Sequence, residues 1–393
     1  MISLKERIIF IGIGQCGGNI ASEAAKAGFK AGAINTSNED LNSENMRHIP
    51  HKKVIGSVGG CAKERKLGQK IVKQEYQEII DFIGTNFLDD SKELAKNGLK
   101  KLVYLCFSSS GGTGSGVGPI LISVLSKVYK EVTFGAIVVT PSKDESLIAI
   151  NNSLKCMEEL SKLDIPILIP DNNKATSKDS RQALYNSVNS EIVNSILRVV
   201  RNRDSSSISN IDEKDKAKML FKTGITMIVS TPISNSELTS KESIAKAIEN
   251  SWSNNVYATI NFDKQINIAG FFFEIPEKTS KFIDYNLILS NIGTPLEVFE
   301  GIYPTEKETA VVTSVLTGLS FPEKKIVELK TTLEQKAHKV TKNNQKDLFG
   351  SSSEFDDLFG DNDDSTSDNL FDGFEDEEES DEEIDIENLF KGF

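Results

Sequence analysis

Apolar runs and helical stripes alternate along the first 170 residues of this chain. The runs predict strands near 8–13, 31–34, 102–107, 133–139 and 165–169. Between them, amphipathic spacing predicts helices over 18–27, 63–83, 117–130 and 145–160. This alternation predicts an α/β fold, a parallel sheet covered on both faces with ligands held beyond the carboxyl ends of its strands. A stripe of Leu184, Val188, Ile192, Val193, Ile196, Leu197 and Val200 predicts a long central helix over 181–203. After the polar segment 204–210 the pattern changes: strands are expected near 223–230, 266–274, 285–289 and 310–316, in a separate, smaller α+β domain, with a last helix over 322–339. The expected organisation is 1–203, 204–342 and a tail, 343–393.

Charge sharpens the last boundary. The whole chain carries −13, but residues 343–393 hold 19 acidic residues and two Lys, a net of −17, so the preceding residues stand at +4. Such a tail is expected to be disordered and to repel nucleic acid, which argues against direct DNA binding through it. It also repeats a short unit, Asp347-Leu348-Phe349, Asp357-Leu358-Phe359, Asn369-Leu370-Phe371 and Asn388-Leu389-Phe390. Repeated apolar anchors with acidic flanks suit multivalent capture of a basic protein adaptor. The four cysteines (Cys16, Cys61, Cys106, Cys156) form no CxxC pair, and the start of the chain is not signal-like, so reduced thiols in a cytoplasmic protein are expected. No apolar run approaches the roughly 20 residues of a membrane-spanning helix. His48, His51 and His338 lie outside any ligand-like spacing, which argues against zinc and against His-based catalysis.

Residues 108–118 read Ser-Ser-Ser-Gly-Gly-Thr-Gly-Ser-Gly-Val-Gly, directly after the apolar run that ends at Phe107. Small residues at a strand-to-helix junction point backbone N–H groups into a concavity, and the helix dipole adds positive potential; that combination binds phosphate. The Gly-Lys-Ser/Thr ending of a Walker loop is absent. A second cluster, Gly12-x-Gly14-x-x-Gly17, fits a dinucleotide fingerprint when taken alone. The second strand, however, ends in Asn35-Thr36 rather than in the acidic residue that would hold a ribose, which counts against NAD.

Taken with its neighbours, Ser110-Gly111-Gly112-Thr113-Gly114-Ser115-Gly116 resembles the signature of the tubulin/FtsZ superfamily. Gly14, Gln15, Cys16 and Asn19 resemble its first nucleotide loop, Asn35-Thr36 its second, and Ile55-Gly56-Ser57 with Gly59-Gly60 its third. The resemblance implies GTP or GDP held mainly by backbone amides, with Mg²⁺ bridging phosphates through protein ligands that stay unassigned. The stretch Thr140-Pro141-Ser142-Lys143-Asp144-Glu145 resembles the ribose loop, with Glu145 as the sugar contact, while Ala149 stands where FtsZ usually carries Arg. Asp171 falls at the position bordering the base pocket. Tyr185 and Asn189 match the aromatic residue and the Asn at the start of the family's central helix, one turn apart on one face. Tyr185 is then placed to stack on the purine and Asn189 to read the guanine edge. By themselves the two also fit a core-edge Tyr and a solvated Asn.

Asn210, Asp212 and Asp215 follow the central helix, and their local pattern is that of a helix N-terminus. The same Asn-x-Asp-x-x-Asp resembles the seventh loop of FtsZ-like proteins, which enters the nucleotide pocket of the next subunit. That resemblance implies Asp212 and Asp215 as catalytic carboxylates, GTP hydrolysis that requires polymerisation, and a head-to-tail filament of this chain. Gln15-Cys16 replaces the all-Gly first loop of FtsZ, so the chain is most similar to the divergent, TubZ-like tubulins of plasmids and phages, implying DNA segregation or positioning. An FtsZ-like division or constriction protein and a non-catalytic, nucleotide-gated scaffold are the alternatives.

Overall fold

The computed structural model describes residues 2–174, 180–201, 208–262, 266–290 and 292–344; the repeated Leu-Phe units of the tail lie outside the described residues. In chain order the elements are β1 (Ile8–Ile13), α1 (Gly14–Lys26), β2 (Lys30–Asn35), α2 (Asn38–Leu41), β3 (His51–Val54), α3 (Arg65–Phe87), α4 (Ser91–Lys96), β4 (Leu102–Ser108) and α5 (Gly112–Val128). They continue with β5 (Thr133–Val139), α6 (Leu147–Ser161), β6 (Pro166–Leu168), α7 (Arg181–Val200), α8 (Glu213–Leu220), β7 (Gly224–Ser234), α9 (Lys241–Ser253), β8 (Ile268–Ile275), α10 (Tyr285–Leu289), β9 (Glu297–Pro304), β10 (Thr309–Leu319) and α11 (Glu323–Asn344).

The described strands form one sheet in the order β3-β2-β1-β4-β5-β6-β7-β10-β8-β9. From β3 to β7 every pairing is parallel. β10 then runs antiparallel to both β7 and β8, and β9 is parallel to β8. β1 is buried at every position, and β4 at all but its last, which is why both read as unbroken apolar runs. The strand order reverses between β1 and β4, and a crevice opens at such a switch point, outside the carboxyl ends of the strands.

Several expectations are corrected. The strands after 204 do not form a sheet of their own: β7 pairs with β6 at Pro166↔Gly224 and Ile167↔Ile225, so the sheet is continuous. The apolar segment 285–289 is the helix α10, capped by Asp284, whose carboxylate accepts from Leu287 N at 3.2 Å. Tyr285 packs on Phe271 and Phe273, with ring centroids 6.2 and 5.9 Å away; a largely apolar five-residue segment fills such a gap equally well as a strand or a helical turn. β3, α9 and β9 lacked clear apolar runs and were not anticipated. α1 begins at Gly14 and α5 at Gly112, each before its expected start, because their glycines are helical. A Cβ on Gly17 would stand 1.8 Å from Cys106 O, and one on Gly116 2.5 Å from Arg65 O. Glycine there brings α1 directly onto β4, and α5 directly onto α3.

Candidate nucleotide site

Two helix N-termini converge at the switch point. α1 opens at Gly14, whose φ of +69° makes the turn out of β1, and α5 opens after Gly111; neither takes a side-chain cap, and neither has an acid in its first turn. A Cβ on Gly14 would lie 3.4 Å from Gly114 N and 3.5 Å from Thr113 Cβ, so the two helix starts are in contact. Uncapped N–H groups and two aligned dipoles make a cradle for an anion. Gln15 is exposed and Cys16 and Asn19 are half-buried at this rim. Burial, aided by the nearby Glu145 carboxylate, pushes the Cys16 thiol up to about 12, so it stays protonated and is no nucleophile at neutral pH.

The second and third loops close one side. Thr36 Oγ1 and Thr113 Oγ1 share a hydrogen bond of 2.8 Å. The Asn35 side chain shapes its own loop, accepting from Thr36 N at 2.8 Å and donating to Asp40 Oδ2 at 3.1 Å. Gly59, Gly60 and Gly111 face open space, with nothing within 4 Å of where a Cβ would sit. In the loop that carries Gly59 and Gly60, Ser57, Ala62 and Lys63 also adopt positive φ (44°, 43° and 67°). Left-handed backbone at residues with a Cβ costs roughly 1–2 kcal/mol each, and such strain concentrates at functional sites.

Lys63 is the site residue that the sequence did not reveal. Its carbonyl carbon lies 3.0 Å from where a Cβ of Gly112 would be, and its carbonyl oxygen accepts from Asn152 Nδ2 at 2.8 Å. The same Asn152 amide donates to Ser110 O at 3.3 Å, so α6 stitches the third loop to the Gly-rich one. The exposed Lys63 ammonium bonds Ser146 Oγ at 3.2 Å. The Lys63 backbone thus lies against the start of α5, while its ammonium stands at Ser146, the N-cap of α6. Within that segment, Ser110 Oγ bonds Ser108 Oγ at 2.8 Å and Ser115 Oγ donates to Gly111 O.

The loops after β5 and β6 flank the other side. Glu145 is half-buried, its N–H donating to Ser142 O at 3.1 Å, and Ala149 is fully buried. Asp171, expected at the edge of the base pocket, is held by an ion pair and hydrogen bonds. It is 3% exposed, and its Oδ1 accepts from Lys325 Nζ at 2.8 Å, Asn173 N at 3.0 Å and Thr140 Oγ1 at 3.3 Å. Tyr185 is half-buried in the first turns of α7, and Asn189, one turn on, is 5% exposed. α7 packs on α1, where Ser190 Oγ donates to Glu23 Oε2 at 3.2 Å. A cleft of about 570 Å³ walled by Ser187, Glu191 and Thr231 lies against the opposite face of α7.

Asp212 and Asp215 are elsewhere. Asp212 caps α8, its Oδ1 accepting from Lys214 N and Asp215 N, both at 2.8 Å. Its neighbour Glu213 accepts from Leu4 N at 3.1 Å, and Leu4 precedes β1, whose far end turns into Gly14. β1 has six residues, so about 20 Å of strand separates the two ends. Tyr303 OH holds the approach to α8 by donating to Asn210 Oδ1 and accepting from Ile211 N, each at 3.1 Å. The carboxylates lie at the amino end of the sheet and the phosphate cradle at its carboxyl end. No group of three or more His, Cys, Asp or Glu able to hold a metal occurs among the described residues, nor does a helix long and apolar enough to cross a membrane.

This order of parallel strands, paired glycine-opened helices and a long central helix defines a tubulin-like α/β fold. Residues 7–179 match the Tubulin/FtsZ family, GTPase domain. It is 28% identical over 375 residues to the tubulin-like protein CetZ of Pyrococcus furiosus, covering 90% of this chain and 98% of that one. It is 26% identical over 321 residues to the tubulin-like protein TubZ of Clostridium botulinum C phage, covering 79% and 80%. Among solved structures, a GTPγS-form protofilament of Bacillus thuringiensis serovar israelensis TubZ superposes with a TM-score of 0.72 over 88% of this chain and 96% of that one, at 17% identity.

Proposed function

We propose that this chain is a cytoplasmic GTP-binding and GTP-hydrolysing filament protein whose active site is completed between subunits. The observation that carries the reading is the separation just described. The phosphate cradle (Gly14, Gln15, Cys16, Asn19, Gly59, Gly60 and Ser110–Gly116) opens at one end of the sheet, while Asp212 and Asp215 sit at the other. One chain cannot bring them together. A head-to-tail stack sets the amino end of one sheet over the carboxyl end of the next. In that arrangement Asp212 and Asp215 orient and polarise the water that attacks the γ-phosphate. Glu145 serves the ribose, and Tyr185 and Asn189 the base. Mg²⁺ draws its ligands largely from nucleotide phosphates and water, and we include it with GTP on that chemistry.

For the biological role we propose DNA segregation or positioning, supported by the similarity to a phage TubZ. Binding of a basic, DNA-bound adaptor by the acidic tail 343–393 would provide the link. The CetZ relatives come from cellular organisms rather than a phage, and that favours a second reading, an FtsZ-like role in division or constriction. Affinity capture with the intact chain and with a chain lacking 345–393 separates the two. Tail-dependent recovery of a DNA-binding adaptor supports segregation, and recovery of a membrane anchor overturns it.

A further inference from the structure

The last helix, α11, is fastened to the nucleotide side of the sheet by its polar side chains. Lys325 is 2% exposed, and its ammonium makes an ion pair of 2.8 Å with Asp171 while also donating to Pro141 O and Glu328 Oε1, each at 3.3 Å. Glu328 accepts from Asn173 Nδ2 at 2.5 Å, and Asn173 Oδ1 in turn accepts from Lys143 N at 3.0 Å. Two turns further along, Lys336 Nζ donates to Glu145 O. One helix therefore grips both the loop after β5, at Pro141 and Glu145, and the loop after β6, at Asp171 and Asn173.

An ion pair this deeply buried is a poor stabiliser, because the desolvation of two charges offsets their attraction and apolar residues of similar volume do as well. What the pair supplies is position. Its lysine reaches a backbone carbonyl on one loop and a carboxylate on the other, so it fixes the spacing between the loop on which we place the ribose contact and the loop that precedes α7, on which we place the base contacts. Ala149, fully buried with only a methyl group, offers nothing comparable from α6. We propose that Lys325 is a positioning residue for the ribose and base side of the nucleotide site, and that docking of α11 is coupled through it to nucleotide binding. This rests on the GTP-binding reading above. Coupling of this kind is reciprocal: if the dock orders the loops for nucleotide, nucleotide must strengthen the dock by the same factor.

The test uses full-length protein and the double variant Lys325→Met/Asp171→Leu, because a single change would leave one buried charge unpaired and threaten the fold. Circular dichroism and thermal melting establish that the double variant folds. GDP and 2′-deoxy-GDP affinities are then measured by calorimetry, and amide exchange across α11 is followed with and without GDP. In the wild-type chain, GDP slows exchange in α11. In the folded double variant that protection disappears, GDP binds at least about fivefold more weakly, and the difference between GDP and its deoxy analogue narrows. A merely structural role would leave that difference unchanged. A folded double variant with wild-type affinity and wild-type protection of α11 overturns the inference alone. Failure of the wild-type chain to bind guanine nucleotide overturns the functional reading and this inference with it.

Discussion

The hydroxyls of Thr36 and Thr113 lie 2.8 Å apart in the interior, tying the end of β2 to the first turn of α5. Thr36 is fully buried and also takes a contact of 3.7 Å from Cys61 Sγ, so the second and third loops and the Gly-rich one meet at one atom. Thr36→Val removes that atom at nearly constant volume and is expected to destabilise the chain by about 1 kcal/mol, read from urea unfolding. A double-mutant cycle with Thr113→Val should show that the two losses do not add. Additive losses would mean that the pair is mere proximity.

Asp212 has a structural duty as a helix cap, so the informative substitution keeps the cap. Asn caps a helix as well as Asp does, yet lacks the charge. Asp212→Asn is expected to leave the melting temperature unchanged and to let filaments persist, while GTP turnover per subunit falls about 100-fold or more. Sedimentation and phosphate release measure the two. Normal turnover would reduce Asp212 to its cap.

Because the two halves of the site stand at opposite ends of the sheet, the specific activity of the wild-type chain should depend on its own concentration. GTP turnover per subunit is expected to rise steeply above a critical concentration, in step with light scattering. A flat specific activity across that range would exclude a shared site.

Lys63 is an exposed cation whose backbone lies against the start of α5, in a loop bordering a Gly-rich segment that has no lysine of its own. Lys63→Ala should weaken a triphosphate analogue more than GDP, by about tenfold, since a charge-assisted hydrogen bond exceeds a neutral one by roughly that factor. Calorimetric titrations with both nucleotides check it, and equal weakening would assign Lys63 to loop shape.

Alkaline pH should weaken the fold through half-buried Cys16 and buried Cys106 and Cys156. Burial raises the Cys16 thiol from 9.0 to about 12 and raises Cys106 and Cys156 further, so the folded chain keeps protons that the unfolded chain releases near pH 9. Stability is therefore full below about pH 9 and falls as pH climbs toward the folded values. Urea midpoints across pH 8 to 11 should decline, and Cys16→Ser should flatten part of that decline.

Much of the nucleotide half was legible because its determinants are local. A Gly-rich turn after an apolar strand needs no distant partner to be recognised, and Asn189 lies one helical turn from Tyr185 whatever surrounds them. α10 and β9 were not legible, since a short apolar segment or an edge strand takes its conformation from what packs on it. Glycine patterns misled in one respect: Gly112, Gly114 and Gly116 read as loop but are helical, and the backbone against which they pack belongs to α3 and β4. The ion pair of Asp171 with Lys325 was not legible either, because the two stand 154 positions apart.

The sequence alone determined the α/β alternation, the glycine clusters at two strand-to-helix junctions, the lysine-free Gly-rich segment and the acidic pair after the central helix. Each follows from residue type and short-range spacing. Tertiary structure decided where those pieces face. It joined both strand groups into one sheet and set the backbone of Lys63 against α5. It closed Asp171 under α11 and put Asp212 a strand's length from the cradle. Those outcomes depend on contacts between residues far apart in the chain, and no local pattern encodes them.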